Sequence, residues 1–123
     1  MAKVFLDTNK LIDIVENRGE ISVDVFDKHN LFISSLSIHI LLYITKHKVP
    51  YERLEEILEN FFIVDFDHSI CYKSLEGPTD DFEDNVQLHS AANADCDVFL
   101  TNDKKLLSLK FFGKTRIVKE LTP

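Results

Sequence analysis

Short apolar runs rich in Val, Ile and Phe alternate along this chain with longer segments of helical periodicity, and that alternation limits the fold more than any other feature. Residues 3–7 (KVFLD), 31–34 (LFIS), 62–66 (FIVDF), 97–100 (DVFL) and 115–118 (TRIV) have the length and the β-branched or aromatic content of strands. Most intervals between them have room for a helix. Such succession is the signature of a mostly parallel sheet covered on both faces. The expected fold class is therefore α/β, a three-layer α/β/α sandwich with a mostly parallel central sheet of about five strands. A chain of 123 residues with 45% apolar residues and ten Phe can build one core without disulfides or structural metal. No linker or low-complexity tract interrupts it, so residues 1–123 are expected to form a single domain.

The helical segments carry ordinary signals. Thr8 or Asn9 can cap a helix running to about Arg18, with Gly19 as its stop, and Pro50 occupies a first-turn position before YERLEEILENF. In that segment Leu54, Ile57, Leu58 and Phe61 share one face, as in a plain amphipathic helix. Another helix starts near Ser69 and ends at Gly77 and Pro78. The segment from Ser37 to Lys46 differs: Ile38, Ile40, Leu41, Leu42, Tyr43 and Ile44 leave almost no polar face, so it is either fully buried or part of an interface, a dimer contact among the options.

Composition excludes several classes. Cys71 and Cys96 form neither a disulfide framework nor a zinc set, which fits a reducing compartment. No signal-peptide core and no membrane-length apolar stretch is seen, so the expectation is a soluble, cytoplasmic protein. A net charge of −7 argues against binding nucleic acid through bulk electrostatics, yet clustered acids that hold metal ions drive the count the same way. Lys104, Lys105, Lys110, Lys114, Arg116 and Lys119 crowd the last twenty residues, as a solvated surface or a phosphate-contacting flank. The five histidines form no metal-type pair, and three glycines supply no phosphate loop.

What remains is acidic. Asp7 closes the first strand run, in VFLDTN, and Asp103 lies just past the fourth, in VFLTND. Nothing else recurs at that period, so the pair is not an internal repeat. In open parallel sheets ligands bind beyond the carboxyl ends of strands; if the two strands are neighbours, both carboxylates emerge on one edge. Each taken alone reads first as a helix cap or turn former. In TDDFEDNVQLHSAANAD, which opens a helix, Asp81 and Asp84 share one face, while Asp80 and Glu83 have the form of a capping box. With Asn9, Thr101 and Asn102 as polar neighbours, these carboxylates make an all-oxygen set suited to Mg2+ or Mn2+ and hence to phosphoryl chemistry. A receiver- or phosphatase-type reading needs a paired Asp or a D-x-D at the first strand, which LDTN lacks.

LDTN at 6–9, DFEDNVQLHSAA at 81–92 and TNDKKL at 101–106, in that order and at those separations, resemble the PIN-domain family, which includes the VapC-type toxins of bacterial toxin-antitoxin pairs. The resemblance spans essentially the whole chain, and DFED-x-x-Q is its most specific part. It implies a PIN-like α/β/α sandwich with Mg2+- or Mn2+-dependent ribonuclease activity, frequently dimeric and held inactive by a small antitoxin. It assigns catalysis to Asp7, Asp84 and Asp103, and metal binding to these together with Asp81. Asn9, Thr101 and Asn102 become supporting residues, and Lys104 and Lys105 candidate RNA contacts.

One departure stands out. The family carries a Glu on the helix after the second strand, in a context like S-x-x-E-L, whereas here Ser37-Ile38-His39-Ile40-Leu41 puts Ile40 at that place. His39 points about 100° away around a helix and does not substitute directly. Two expectations therefore stand side by side. One is an active metal-dependent endoribonuclease. The other is a catalytically degenerate PIN-like module that binds nucleic acid or protein.

Overall fold

The computed structural model describes residues 1–18 and 27–121. A six-stranded sheet forms the centre, built from β1 (Lys3–Leu6), β2 (Asn30–Ser34), β3 (Phe61–Val64), β4 (Val98–Leu100), β5 (Phe111–Phe112) and β6 (Thr115–Val118), in the order β3-β2-β1-β4-β6-β5. All pairings are parallel except β5 with β6. The helices are α1 (Thr8–Val15), α2 (Ser35–Thr45), α3 (Glu52–Leu58), α4 (His68–Glu76), α5 (Phe82–Asn93) and α6 (Lys104–Leu109).

The repeated VFL triplet has a structural cause. β1 and β4 lie side by side in the middle of the sheet, with Val4 opposite Val98, Phe5 opposite Phe99 and Leu6 opposite Leu100. Successive side chains of a strand point to opposite faces. Val4, Leu6, Val98 and Leu100 therefore meet Leu11, Ile12 and Val15 of α1, Leu41 of α2 and Leu54 of α3. Phe5 and Phe99 face the other way, stack with ring centroids 5.4 Å apart, and meet Leu88 and Ala91 of α5 and Leu106 of α6. Two helical layers on one buried sheet require apolar residues on both faces of its central strands, and VFL supplies them twice.

Strand order sets the location of the site. From β1 the chain steps outward through β2 to β3, then returns to place β4 on the opposite side of β1, so the order reverses between β1 and β4. A crevice opens at such a switch point beyond the carboxyl ends of the strands. The Asp7 backbone N–H donates to the Leu100 carbonyl at 3.0 Å, and the Thr101 N–H to the Val118 carbonyl at 3.0 Å, so the sheet register continues into the site.

Several local expectations shift. β5 joins β6 through a tight turn with Gly113 at φ +60°, a strand of two residues that is too short to show alternation in the sequence. Asp7, not Thr8 or Asn9, takes the N-cap position of α1, and the helix ends at Val15 rather than Arg18, followed by Asn17 at φ +56°. Gly19, the anticipated stop, lies outside the described residues. Tyr51 caps α3, so Pro50 precedes the helix and is not in its first turn. Asp67, whose Oδ1 accepts from the Ile70 N–H at 2.9 Å, caps α4, which starts at His68, one residue before Ser69.

The apolar helix is neither fully buried nor fully covered. α2 buries Ser37 and Leu41, while Tyr43 and Ile44 are 75% and 53% exposed. Among the described residues no helix is long and apolar enough to cross a membrane.

Candidate active site

The site grows from the ends of β1 and β4. One residue past β1, Asp7 is 5% exposed, and its side chain makes no helix-capping bond. Its Oδ2 accepts from the Thr101 hydroxyl at 2.5 Å. That same Oγ1 accepts from the Asp103 N–H at 3.0 Å, so one hydroxyl links both strand ends. Asp103 caps α6, its Oδ1 accepting from the Lys105 and Leu106 N–H groups at 2.8 and 3.2 Å. The capping role read as an alternative for Asp103 is thus real, and it engages one of the two carboxylate oxygens.

α5 approaches from the side. Its N-cap is Asp81, whose Oδ1 accepts from the Asp84 N–H at 2.9 Å. The expected Asp80 and Glu83 capping box is therefore displaced by one residue. The displacement comes from the loop before the helix, which Asn85 clamps: its Oδ1 accepts from the Thr79 N–H at 2.8 Å and the Thr79 hydroxyl at 2.7 Å, and its amide donates to the carbonyls of Ser74 and Thr79, each at 2.9 Å. His89, one turn further on, lies 2.8 Å by its Nε2 from the Gly77 carbonyl and sets its ring edge-on to Phe112, a partly buried structural position.

Buried polar groups join α5 to α1 and α2. Gln87 Oε1 accepts from the Thr8 N–H at 2.8 Å and lies 3.0 Å from the Thr8 hydroxyl, which in turn lies 2.9 Å from the Ser37 hydroxyl on α2. Ser37 carries the polar contact of α2 to this network. Ile40, one turn on, is half-buried and brings no carboxylate.

The electrostatics mark these acids as one group. Burial pushes the Asp7 carboxyl above its ordinary range and the Asp103 charge adds to the rise, while hydrogen bonds from Thr101, Gln87 and the Thr8 backbone pull it back. Burial, followed by the charges of Asp81, Asp7, Asp103 and Glu83, raises half-buried Asp84 to about 7. A cleft of about 500 Å3 opens here, lined by Thr79, Asp80, Asp81, Asp84, Asp103, Lys104 and Lys105. Carboxylate and hydroxyl oxygens are the donors that Mg2+ and Mn2+ prefer. Among the described residues, however, no three His, Cys, Asp or Glu side chains close tightly enough around one point to form a ready cage. The donor chemistry fits a hard cation that retains much of its water, as Mg2+ usually does, since such an ion needs only one or two protein carboxylates.

A model of the PIN domain family matches residues 4–111. This chain belongs to the PIN-domain family. The PIN domain is similar over 94% of its length, with a TM-score of 0.68 and 16% identity, to 97% of a chain in the crystal structure of VapBC2 from Rickettsia felis bound to a DNA fragment from their promoter. At that identity the likeness shows the fold alone. No curated protein matches the chain.

Within this PIN domain the residues singled out from sequence divide into two groups. Asp81, Asp84, Asp103, Lys104 and Lys105 line the cleft, while Asp7 is buried, its charge felt by Asp84, and Thr101 is buried against it. Asn9 and Asn102 are exposed and are not part of the cleft lining. His39 is exposed. The basic segment also divides: Lys114 pairs with Asp95 at 3.2 Å, beside the amino end of β4 and hence away from the cleft. Ser37 and Asn85 were not anticipated. Their signal was faint, a small or amide side chain at a helix position that the apolar pattern would bury.

Proposed function

We propose that this PIN domain is a metal-dependent endoribonuclease that hydrolyses RNA phosphodiesters, of the type that serves as the toxin of a toxin-antitoxin pair. The observation that carries the reading is the convergence of Asp7, Asp84 and Asp103 from two strand ends and a helix start, with Asp84 feeling the charge of both others. PIN domains are generally nucleases that use divalent ions, which supports the same class.

Asp7, Asp81, Asp84 and Asp103 would hold Mg2+ or Mn2+, which when bound polarises a phosphodiester and activates water. The chain's own residues do the rest. Thr101 holds Asp7 and the Asp103 backbone in register. Lys104 and Lys105, on the cleft wall and without an ion pair among the described residues, receive the phosphates on either side of the scissile bond. A small antitoxin protein is the proposed regulator, in keeping with the VapBC2 relative. The open face of α2, with Tyr43 and Ile44, is the proposed contact between two copies.

The test is cleavage of single-stranded and structured RNA with Mg2+ or Mn2+ by the purified protein and by Asp7→Asn. Metal-dependent cleavage lost in the variant is expected; equal cleavage by both would mean a contaminant.

Ile40 favours a second reading, a degenerate module that keeps its binding surface without catalysis. Ile40→Glu decides between the two. If cleavage appears only in the variant, the natural protein is degenerate; if wild type cleaves as well as the variant, the second reading falls.

A further inference from the structure

DFED-x-x-Q ends on a buried polar residue to which the catalytic reading gives no task. Gln87 is a polar side chain 3% exposed, on a stretch of α5 where Val86, Leu88 and Ala91 are buried in the core. Its amide orientation is set by what surrounds it. The Thr8 N–H can only donate, and it lies 2.8 Å from Oε1, so the oxygen faces α1 and grips the peptide that follows Asp7, while the NH2 end favours the charged form of the Asp7 carboxyl. Two side chains therefore favour the charged form of Asp7, Thr101 from the end of β4 and Gln87 from α5.

Gln87 also stands three residues after Asp84, so the helical turn that carries Asp84 into the cleft carries this clamp as well. The Gln87 side chain thereby ties the peptide that follows Asp7 to the turn of α5 that bears Asp84. Resting on the metal-site reading above, we infer that Gln87 is a positioning residue: it holds the Asp7 carboxylate in place and ties it to the helix that presents Asp84, so that both acids can serve one divalent ion.

Hydrogen-bond partners behind metal ligands typically contribute about 10- to 100-fold to metal affinity. The experiment is Mn2+ titration by calorimetry, with melting temperature measured in parallel, on wild type, Gln87→Met, Gln87→Asn and Leu88→Ala. The Met variant matches the length of Gln without its amide, and the Asn variant keeps an amide too short to span Thr8 and Asp7. Leu88→Ala loosens the same helix from the sheet without touching the acids. Both Gln87 variants should bind Mn2+ at least about tenfold more weakly, while Leu88→Ala melts lower yet binds as wild type does. If Gln87→Met fails to fold, Gln87→Asn carries the comparison. Wild-type affinity in the folded Gln87 variants, or an equal loss in Leu88→Ala, overturns the inference and leaves the metal site standing. Absence of Mn2+ binding by the wild type overturns the metal reading itself, and this inference with it.

Discussion

Thr101 Oγ1 lies 2.5 Å from Asp7 Oδ2, a hydrogen bond between residues 94 positions apart that fastens the end of β4 to the end of β1. Because the same oxygen receives the Asp103 N–H, Thr101 is the joint through which two of the three proposed catalytic acids are held. Its own exposure is nil.

Thr101→Val keeps the volume and removes both bonds. It takes one donor from the buried Asp7 carboxylate and leaves the Asp103 backbone N–H without its acceptor, a loss of about 1–3 kcal/mol for that unpaired group. Urea unfolding should show that loss, and RNA cleavage should fall about 10- to 100-fold as the acids lose register. Unchanged cleavage in a folded Thr101→Val protein would remove Thr101 from the site.

The raised pKa of Asp84 gives stability a pH dependence with a definite sign. A carboxyl lifted to about 7 in the folded state, mainly by burial and then by Asp81, Asp7 and Asp103, binds its proton more tightly folded than unfolded. Its contribution is fully present below pH about 4 and is lost as pH rises through about 7. Asp7, raised in the same direction, adds to the trend. In metal-free buffer, Asp84→Asn should therefore raise the melting temperature by a few degrees at pH 8 and by less at pH 5. Equal gains at both values would contradict it.

Lys104 and Lys105 share the cleft wall with the acids, so their contribution should be electrostatic and independent of RNA sequence. Replacing both by Ala should weaken RNA binding and lower the magnitude of the log K against log salt slope by about 1.4, at about 0.7 per phosphate contact on a single strand. An unaltered slope would show that the two lysines face solvent alone.

α2 offers a test of assembly. With Tyr43 75% and Ile44 53% exposed beside the buried Leu41, Ile44→Lys should convert a dimer to a monomer by sedimentation without lowering the melting temperature of the fold itself. A wild-type protein that sediments as a monomer at high concentration refutes the proposed contact.

The core makes a related prediction. Phe99 is fully buried and stacks on Phe5, and Phe99→Ala should cost about 3–5 kcal/mol. Loss of that size, measured by urea unfolding, would accompany a weakened site, because β4 carries Thr101 and Asp103 at its end. A cost below about 1 kcal/mol would mean that the site rests on a different part of the sheet.

Periodicity alone carried a good part of this protein. The doubled VFL required two strands buried on both faces, and Asp7 and Asp103 followed from where those strands must stop, because side-chain alternation and strand length are properties of a few consecutive residues. The amphipathic helices and the acidic start of α5 were legible for the same reason. Other features lay beyond local pattern. β5 needs β6 beside it to be a strand at all. Asp81 rather than Asp80 caps α5 because Asn85 and His89 fix the preceding loop from inside the fold. Whether the apolar α2 would be covered depended on how much of it α1 and the sheet could reach, and they reach only one side. The partnership of Gln87 with Asp7 spans 80 residues and exists only once β1, α1 and α5 have docked. Local sequence determines which segments form and where their carboxylates stand. Long-range strand pairing and helix docking decide which of those carboxylates come within reach of one another, since such distances are set by contacts between residues that no short window contains.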